Sequence, residues 1–476
     1  MTQHRISVGP VRALGRGDLA WGYAAQALNV GAGLVLLPLV LRYLPPEHVG
    51  LWFVFAALGA FAQLLEFGLV PTLSRNASYV HAGARTLRPQ GLPADMDPEA
   101  RVDPVLLARL ARAARRIHGR VAALAALLLL VAGTGYVISL VPDPSERTMI
   151  VFAWVCYAAA QTLILRYGWV TAMLQGRGDV TAANRVMIVT RGGALLLGAA
   201  GLLTGWGLPS LGLAALASTA AGRALAMAYY RQGSPAVPAA AMTDERAADD
   251  ELLRTVWVNA RRLGAVQLGT FLLQRAGVLV ASSLLGLQAA AVYGTSMMVL
   301  STLSAVAMVV CGLKLPAIAA MQARGDGAGV LSTYGAVLIG GWAVFGCGLA
   351  LLLVLGPTLL ELAGSRTGLL PLPLLVALGL VFLLELNHSI AATFLTTFNE
   401  VPFVTAALAS GAAAFGLGIA LAGPWGVGGL VAAQGVTQLA YNNWKWPLTV
   451  MRRLDVGPLR IVAAGASHLL RALRSR

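Results

Sequence analysis

Charge is what this sequence has least of. Only 12% of its 476 residues are Asp, Glu, Lys or Arg, about half the share that a soluble chain of this length carries. So few charged side chains cannot clothe a water-facing globule. The apolar residues, 58% of the chain, fall in uninterrupted blocks of about twenty, enough to cross a hydrocarbon core of about 30 Å. Cysteine is nearly absent: Cys156, Cys311 and Cys347 each stand alone inside an apolar block. That excludes a disulfide framework and a paired-thiolate metal site, and leaves them as small apolar residues. The chain also lacks an HExxH pair, a Ser-His-Asp arrangement beyond chance and any long external loop. The longest segment on the side opposite the basic loops is "GPTLLELAGSRTG", 356–368. Neither an enzyme nor a bound cofactor is expected.

Hydropathy places twelve spans, at 19–41, 49–73, 121–141, 149–174, 186–206, 209–230, 263–285, 289–312, 333–355, 369–396, 402–422 and 427–448. What charge there is lies unevenly. The net charge is +15, and 28 of the 35 Lys and Arg sit in alternate loops, in the termini or at Lys445. The opposite loops hold only Arg42, Arg147 and Arg366. By the positive-inside rule both termini are cytoplasmic, and nucleic-acid binding is not needed to explain the basic balance. The expected fold is an all-α integral membrane protein of about twelve transmembrane helices in two six-helix lobes. Its parts are a basic N-terminus (1–18), an N-lobe (19–230), a linker (231–262), a C-lobe (263–448) and a basic amphipathic tail (449–476). Within the N-lobe, Asp103 and Pro104 open a basic helix over about 103–120. Its Leu106, Leu110, Ala113 and Ile117 share one face, suited to lying on anionic lipid or to a solvated helix.

Short echoes divide the chain in two. "VTAA" occurs at 180–183 and 404–407, and "WG" at 206–207 and 425–426, followed by "GLAA" at 212–215 and "GLVAA" at 429–433. Their shared order implies a six-plus-six repeat with both halves running the same way through the membrane.

"PLVLRYLPPEHVGLW" (38–52) and "LLEFGLVPTLSR" (64–75) resemble the opening of Wzx-type polysaccharide flippases, members of the multidrug/oligosaccharidyl-lipid/polysaccharide (MOP) superfamily. The matching positions are Pro38, Arg42, Gly50, Glu66, Gly68 and Arg75. "LQGRGDVTAAN" (174–184) and "AAAVYG" (289–294) resemble later family segments. The resemblance implies a MATE/MOP-like fold in a bacterial cytoplasmic membrane, working as a monomer. It also implies an undecaprenyl diphosphate-linked oligosaccharide as cargo, for O-antigen or exopolysaccharide assembly. Relatives often carry an Asp in span 7 where this chain reads Arg275-Ala276-Gly277.

Polar residues inside spans nominate the site. Arg275 lies about 18 Å along span 7 from its cytoplasmic start, too deep to snorkel. Gln267, Thr270 and Gln274 share its stripe, and Gln434, Gln438, Tyr441 and Asn442 form another in span 12. Asn29 and Gln26 in span 1 add to them. Such stripes fit a hydrated cavity, although lone amides and hydroxyls serve equally as interhelical glue. Arg166, Arg191 and Arg223 lie within about 12 Å of the cytoplasmic face, where each either reaches the interface or joins the cavity. Glu66 and Glu385, with His388, are candidates for coupling to a proton or sodium gradient, or for simple counter-ions. Pro38 is a candidate hinge in span 1. Four Arg against two carboxylates within the spans leaves a cationic surplus suited to a diphosphate. The expected partners are therefore a lipid-linked oligosaccharide and anionic lipids. The alternatives are a MATE-like multidrug or cation antiporter, whose cargo would favour surplus carboxylate, and a membrane glycan polymerase or ligase. The lipid II flippase, another relative, commonly carries two further spans for which no segments are found.

Overall fold

The computed structural model describes residues 16–88, 95, 102–234, 257, 264–398 and 403–474. Most of the basic N-terminus and of the 231–262 linker lie outside the described residues, as does the side chain of Asn29. Among the described residues, ten helices are long and apolar enough to cross a membrane, from Pro46–Glu66 to Val404–Trp425, and they occupy the places of predicted spans 2 to 11. The protein is a multi-pass membrane protein. Span 1 falls on α1 (Arg16–Tyr43), which passes through Pro38 unbroken. Span 12 falls on a helix whose middle widens into a π-turn at Gln438–Asn442.

The chain forms two compact units. One comprises Met1–Leu39 and Leu58–Gln267, the other Val40–Ala57 and Leu268–Arg476.

The first unit contains most of α1 and the end of α2 (Pro46–Gln63). Its further helices are α3 (Leu69–His81), α4 (Pro104–Leu127), α5 (Thr134–Ser139), α6 (Pro144–Arg166), α7 (Gly168–Gly176), α8 (Val180–Leu203) and α9 (Leu208–Gly233). Their starts are written in the sequence. Asp103 Oδ1 accepts from the Val105 and Leu106 amides at 2.9 and 3.0 Å, and Pro104 fills the first helical position. Asp143 and Pro144 do the same for α6. Such caps are each worth about 1 kcal/mol. α4 departs from the expectation of a lipid-bound helix over 103–120. It runs on into the third span as one helix, and its apolar face packs on protein: Leu110 and Ala113 are fully buried. Leu106 and Ile117 lie against a core built from α3, α7 and α9. The reason is that α3 and α7 present apolar faces at the same level, and burial there removes more apolar surface from water than an interface does.

The internal echo has a backbone counterpart. Val180 and Val404 each begin a helix. Gly207 (φ 60°, ψ −144°) and Gly426 (φ 57°, ψ −140°) share a left-handed conformation that glycine adopts without strain. Each glycine starts the helix after an exposed tryptophan, Trp206 or Trp425.

The second unit runs from Leu268 in α10 (264–274) through α11 (Ala276–Leu284), α12 (Leu287–Ala323), α13 (Gly327–Leu362), α14 (Leu372–Thr396), α15 (Val404–Trp425), α16 (Val427–Thr437), α17 (Asn443–Leu454) and α18 (Pro458–Arg474). Residues 40–57 are built into it, with Leu41, Leu44, Val54 and Phe55 fully buried. The Leu41 carbonyl accepts from the Arg366 amide at 2.8 Å, and Glu47 accepts from Gln288 at 2.6 Å. α18 packs Ile461 and Gly465 onto α13 at Gly335, and leaves Arg460 and Arg471 exposed.

Candidate functional site

The first unit contains a cavity of about 610 Å³ between α4, α6, α7 and α9. Its geometry begins with a helix break. α6 stops at Tyr167 (φ −108°, ψ 10°) and α7 restarts at Gly168. The break frees the Leu165 carbonyl for the buried His118 of α4, whose Nδ1 lies 2.9 Å from it. A Cβ on Gly168 would run into the His118 ring. The break leaves Arg166 at the C-terminus of α6, where the helix dipole favours a cation.

Three more arginines meet Arg166 there. Arg115 comes from α4, one turn before His118, and Arg223 and Arg231 come from α9. Arg223 is partly buried and donates from Nη1 to Thr171 Oγ1 of α7 at 2.9 Å. Glu66, at the end of the second span, and Arg191 of α8 are both near enough to act on Arg223 electrostatically. Glu66 itself accepts from the Val70 amide at 3.2 Å. Trp169 stacks edge-on against Tyr230 with ring centroids 5.0 Å apart. Its indole N–H, like Arg223 Nε, is buried with no acceptor among the described residues.

The lining therefore carries four guanidiniums, an indole N–H and two phenols, with neither a carboxylate nor an amide. None of the four arginines has a carboxylate within ion-pair distance among the described residues. Guanidinium and indole nitrogens only donate. A cavity of donors selects a ligand rich in acceptors and negative charge, and phosphate oxygens match the planar Arg fork. At an effective dielectric near 20, one such contact at 4 Å is worth about 4 kcal/mol before desolvation. Outside the spans, burial and nearby Arg177 hold His81 below the ordinary histidine value.

Arg115 and Arg231 are exposed at the rim, whereas Arg166 and Arg223 are partly buried. Rim charges govern encounter more than residence. Arg115→Gln with Arg231→Gln is expected to slow association with an anionic ligand by about tenfold at low salt, with dissociation changed little. Stopped-flow kinetics at two ionic strengths checks this.

Of the remaining candidates, Arg275, Gln274, Glu385, His388, Gln434, Gln438 and Asn442 lie in the second unit, and Gln267 is the last residue of the first. Arg275 sits at the junction of α10 and α11 (φ −115°, ψ −34°), breaking span 7 there. It is exposed together with Gln267 and Thr270. An exposed mid-span face of this polarity suits water rather than acyl chains. Arg275 has no ion-pair partner among the described residues. Gln274 instead donates to Glu385 Oε1, across 111 residues of sequence. Glu385 is buried, and among the described residues its Oε2 has no partner, nor have the polar side-chain atoms of the buried Gln434 and Gln438. Asn442 donates to Ser410 at 2.9 Å and accepts from Trp446 at 3.2 Å, which is glue rather than an open site. His388 lies one turn beyond Glu385 on α14, partly buried.

The structure thus brings Arg166 and Arg223 into one cavity and leaves Arg191 exposed on α8. Arg115, Arg231 and Trp169 were not nominated from sequence. The first two read as loop or interfacial charges, and the third was given no role.

Comparisons with known proteins bear on the fold. No family model matches the chain, and no curated protein matches it. Among solved structures it is similar to an inward-facing MATE-family multidrug resistance transporter of the MOP superfamily, with TM-score 0.66 and 13% identity over 92% of this chain and 99% of that one. It is similar to the lipid II flippase MurJ in an inward closed conformation, with TM-score 0.60 and 9% identity over 96% and 91%. The fold is MATE- and MurJ-like. A MOP transporter from Pyrococcus furiosus, described as having a binding pocket of reversed polarity, also matches with TM-score 0.54 and 13% identity over 93% and 98%.

Proposed function

We propose that this MOP-fold protein is a flippase for a polyprenyl diphosphate-linked oligosaccharide, of the Wzx type. It acts in a bacterial cytoplasmic membrane during O-antigen or exopolysaccharide assembly. One observation carries the reading: the cavity with four arginines and no carboxylate in its lining. A cationic drug entering it would meet net repulsion from four guanidiniums, whereas a diphosphate supplies the missing negative charge. The proposed cycle is alternating access, in which the head group is taken from the cytoplasmic side, the lipid tail stays in the bilayer, and Arg275 meets the head group deeper in the membrane. Glu66 and Glu385 are the carboxylates available for coupling to a proton or sodium gradient.

The test is leaflet exchange of a fluorescent polyprenyl-diphosphate sugar in proteoliposomes. Exchange is expected for this lipid and not for a cationic dye. Arg275→Gln and Arg275→Ala are expected to slow it about tenfold or more, the loss of one charge-assisted contact of about 1.5–3 kcal/mol. The antiporter reading draws support from the MATE likeness and from the buried Glu385. Dye transport driven by a pH gradient, with no exchange of the diphosphate lipid, would establish that reading instead.

A further inference from the structure

α9 differs from its neighbours in what it leaves uncovered. Beyond Leu213, its exposed residues within the membrane are Ala217, Ala220, Ala221, Ala224 and Ala228. Other membrane-length helices of the unit expose large aliphatics: Leu127, Leu130 and Val131 in the third span, Leu196, Leu197 and Leu203 on α8. Ala220, Ala224 and Ala228 line the cavity. Spaced four residues apart, they form a single file about 12 Å long. Leu163 of α6 and Met227 flank it. Three of the donors gather at one side: Arg223 reaches toward Thr171 of α7, close in sequence to Arg166 and Trp169, while Arg231 follows Ala228 at the far end of the file. The cavity is therefore an amphiphile in negative, with a cationic head region and a narrow apolar trough. Trp169 supplies an independent sign of a ligand, because it is only 4% exposed and its N–H lacks an acceptor among the described residues.

We infer that the alanine file of α9 is the track on which the hydrocarbon chain of a polyprenyl diphosphate lies, while its phosphates sit among Arg166, Arg223 and Trp169. This placement rests on the flippase reading and adds where the chain runs. The cavity lining takes a single file of α9 alanines, Ala220, Ala224 and Ala228, which suits a single chain rather than the paired acyl chains of a glycerophospholipid. A glycerophosphate diester also brings one charge and two free oxygens to four guanidiniums, whereas a diphosphate diester brings two charges and four. Each alanine leaves the volume of a larger side chain vacant, and a methyl-branched chain fills it by dispersion contact.

The test uses the full-length protein in phosphatidylcholine nanodiscs. Affinities for undecaprenyl diphosphate, inorganic diphosphate and phosphatidylglycerol are measured in the wild type and in Ala224→Leu and Ala228→Leu. Filling the trough is expected to weaken undecaprenyl diphosphate by about tenfold, roughly 1.4 kcal/mol, with inorganic diphosphate unchanged. Because a leucine variant can misfold, a photo-crosslinking residue at 224 is compared with one at 196 on α8. Undecaprenyl diphosphate is expected to label 224 well above 196. Unchanged affinity in both leucine variants, or equal labelling at the two positions, overturns the chain placement and leaves the flippase reading standing. Competition by phosphatidylglycerol as strong as by undecaprenyl diphosphate overturns the single-chain assignment. If the wild type binds neither diphosphate, the flippase reading falls and the track falls with it.

Discussion

Arg166→Gln with Arg223→Gln is expected to weaken binding of a polyprenyl diphosphate by on the order of 100-fold. These are the two partly buried guanidiniums of the cavity. Each hydrogen bond to a charged group contributes about 1.5–3 kcal/mol, so losing two removes about 3 kcal/mol or more, and each 1.4 kcal/mol is tenfold. Gln keeps a polar head and most of the stem, so the loss reports charge and fork geometry rather than volume. Folding should tolerate the change, since neither arginine has an ion-pair partner among the described residues and only Arg223 makes a side-chain hydrogen bond, to Thr171. Arg147→Gln, in an outer loop by the sequence topology, serves as the control and should bind as the wild type does. Equilibrium binding and leaflet exchange in the same preparations check the result. Full affinity in the double variant would remove this cavity from the mechanism.

The second large effect comes from a residue with no side chain. Gly212 of α9 lies so close to α6 that a Cβ there would overlap the Ala153 carbonyl. α6 and α9 are the walls that carry Arg166 and Arg223, and this contact sets their spacing thirteen and eleven residues further along. Gly212→Ala must push the helices apart against backbone, which cannot rotate away as a side chain tip can. Overpacking of this kind costs about 1–3 kcal/mol, and the value here should sit at the upper end. The expected outcome is a lower melting temperature together with a loss of diphosphate affinity. Gly135→Ala is the matched control. Gly135 is also helical, with open space where its Cβ would stand, and the exchange should stabilise by up to about 1 kcal/mol. Thermal melting in detergent of both variants separates crowding at this crossing from helix propensity.

These residues also mark how far the sequence could be read. Spans 2 to 11 were legible because apolar length is a one-dimensional property, and the Trp-Gly echo was legible because glycine is what φ near 60° requires. Arg166 and Arg223 stood out as charges inside apolar blocks. Arg115 and Arg231 did not, because a basic residue near a span end looks the same whether it faces solvent or a cavity. Their grouping depends on the Tyr167 break and on His118 taking the Leu165 carbonyl across 47 residues, neither of which leaves a periodic trace. The same limit hid the partner of Gln274, since its stripe was visible but Glu385 is far off in the chain. α4 misled for a related reason, because an amphipathic face does not say whether lipid or protein will cover it.

The assignment of residues 40–57 to the unit otherwise formed by 268–476 bears on how the polypeptide can be divided. Severing the chain within 235–256 would not release two autonomous pieces. The downstream fragment would be missing the buried Leu41, Leu44, Val54 and Phe55, and the upstream fragment would carry those side chains with nothing to cover them. Fragment complementation, with both pieces inserted into one bilayer, is the only route by which a split version regains its packing. A peptide equivalent to 40–57 becomes a rational competitor of that reassembly.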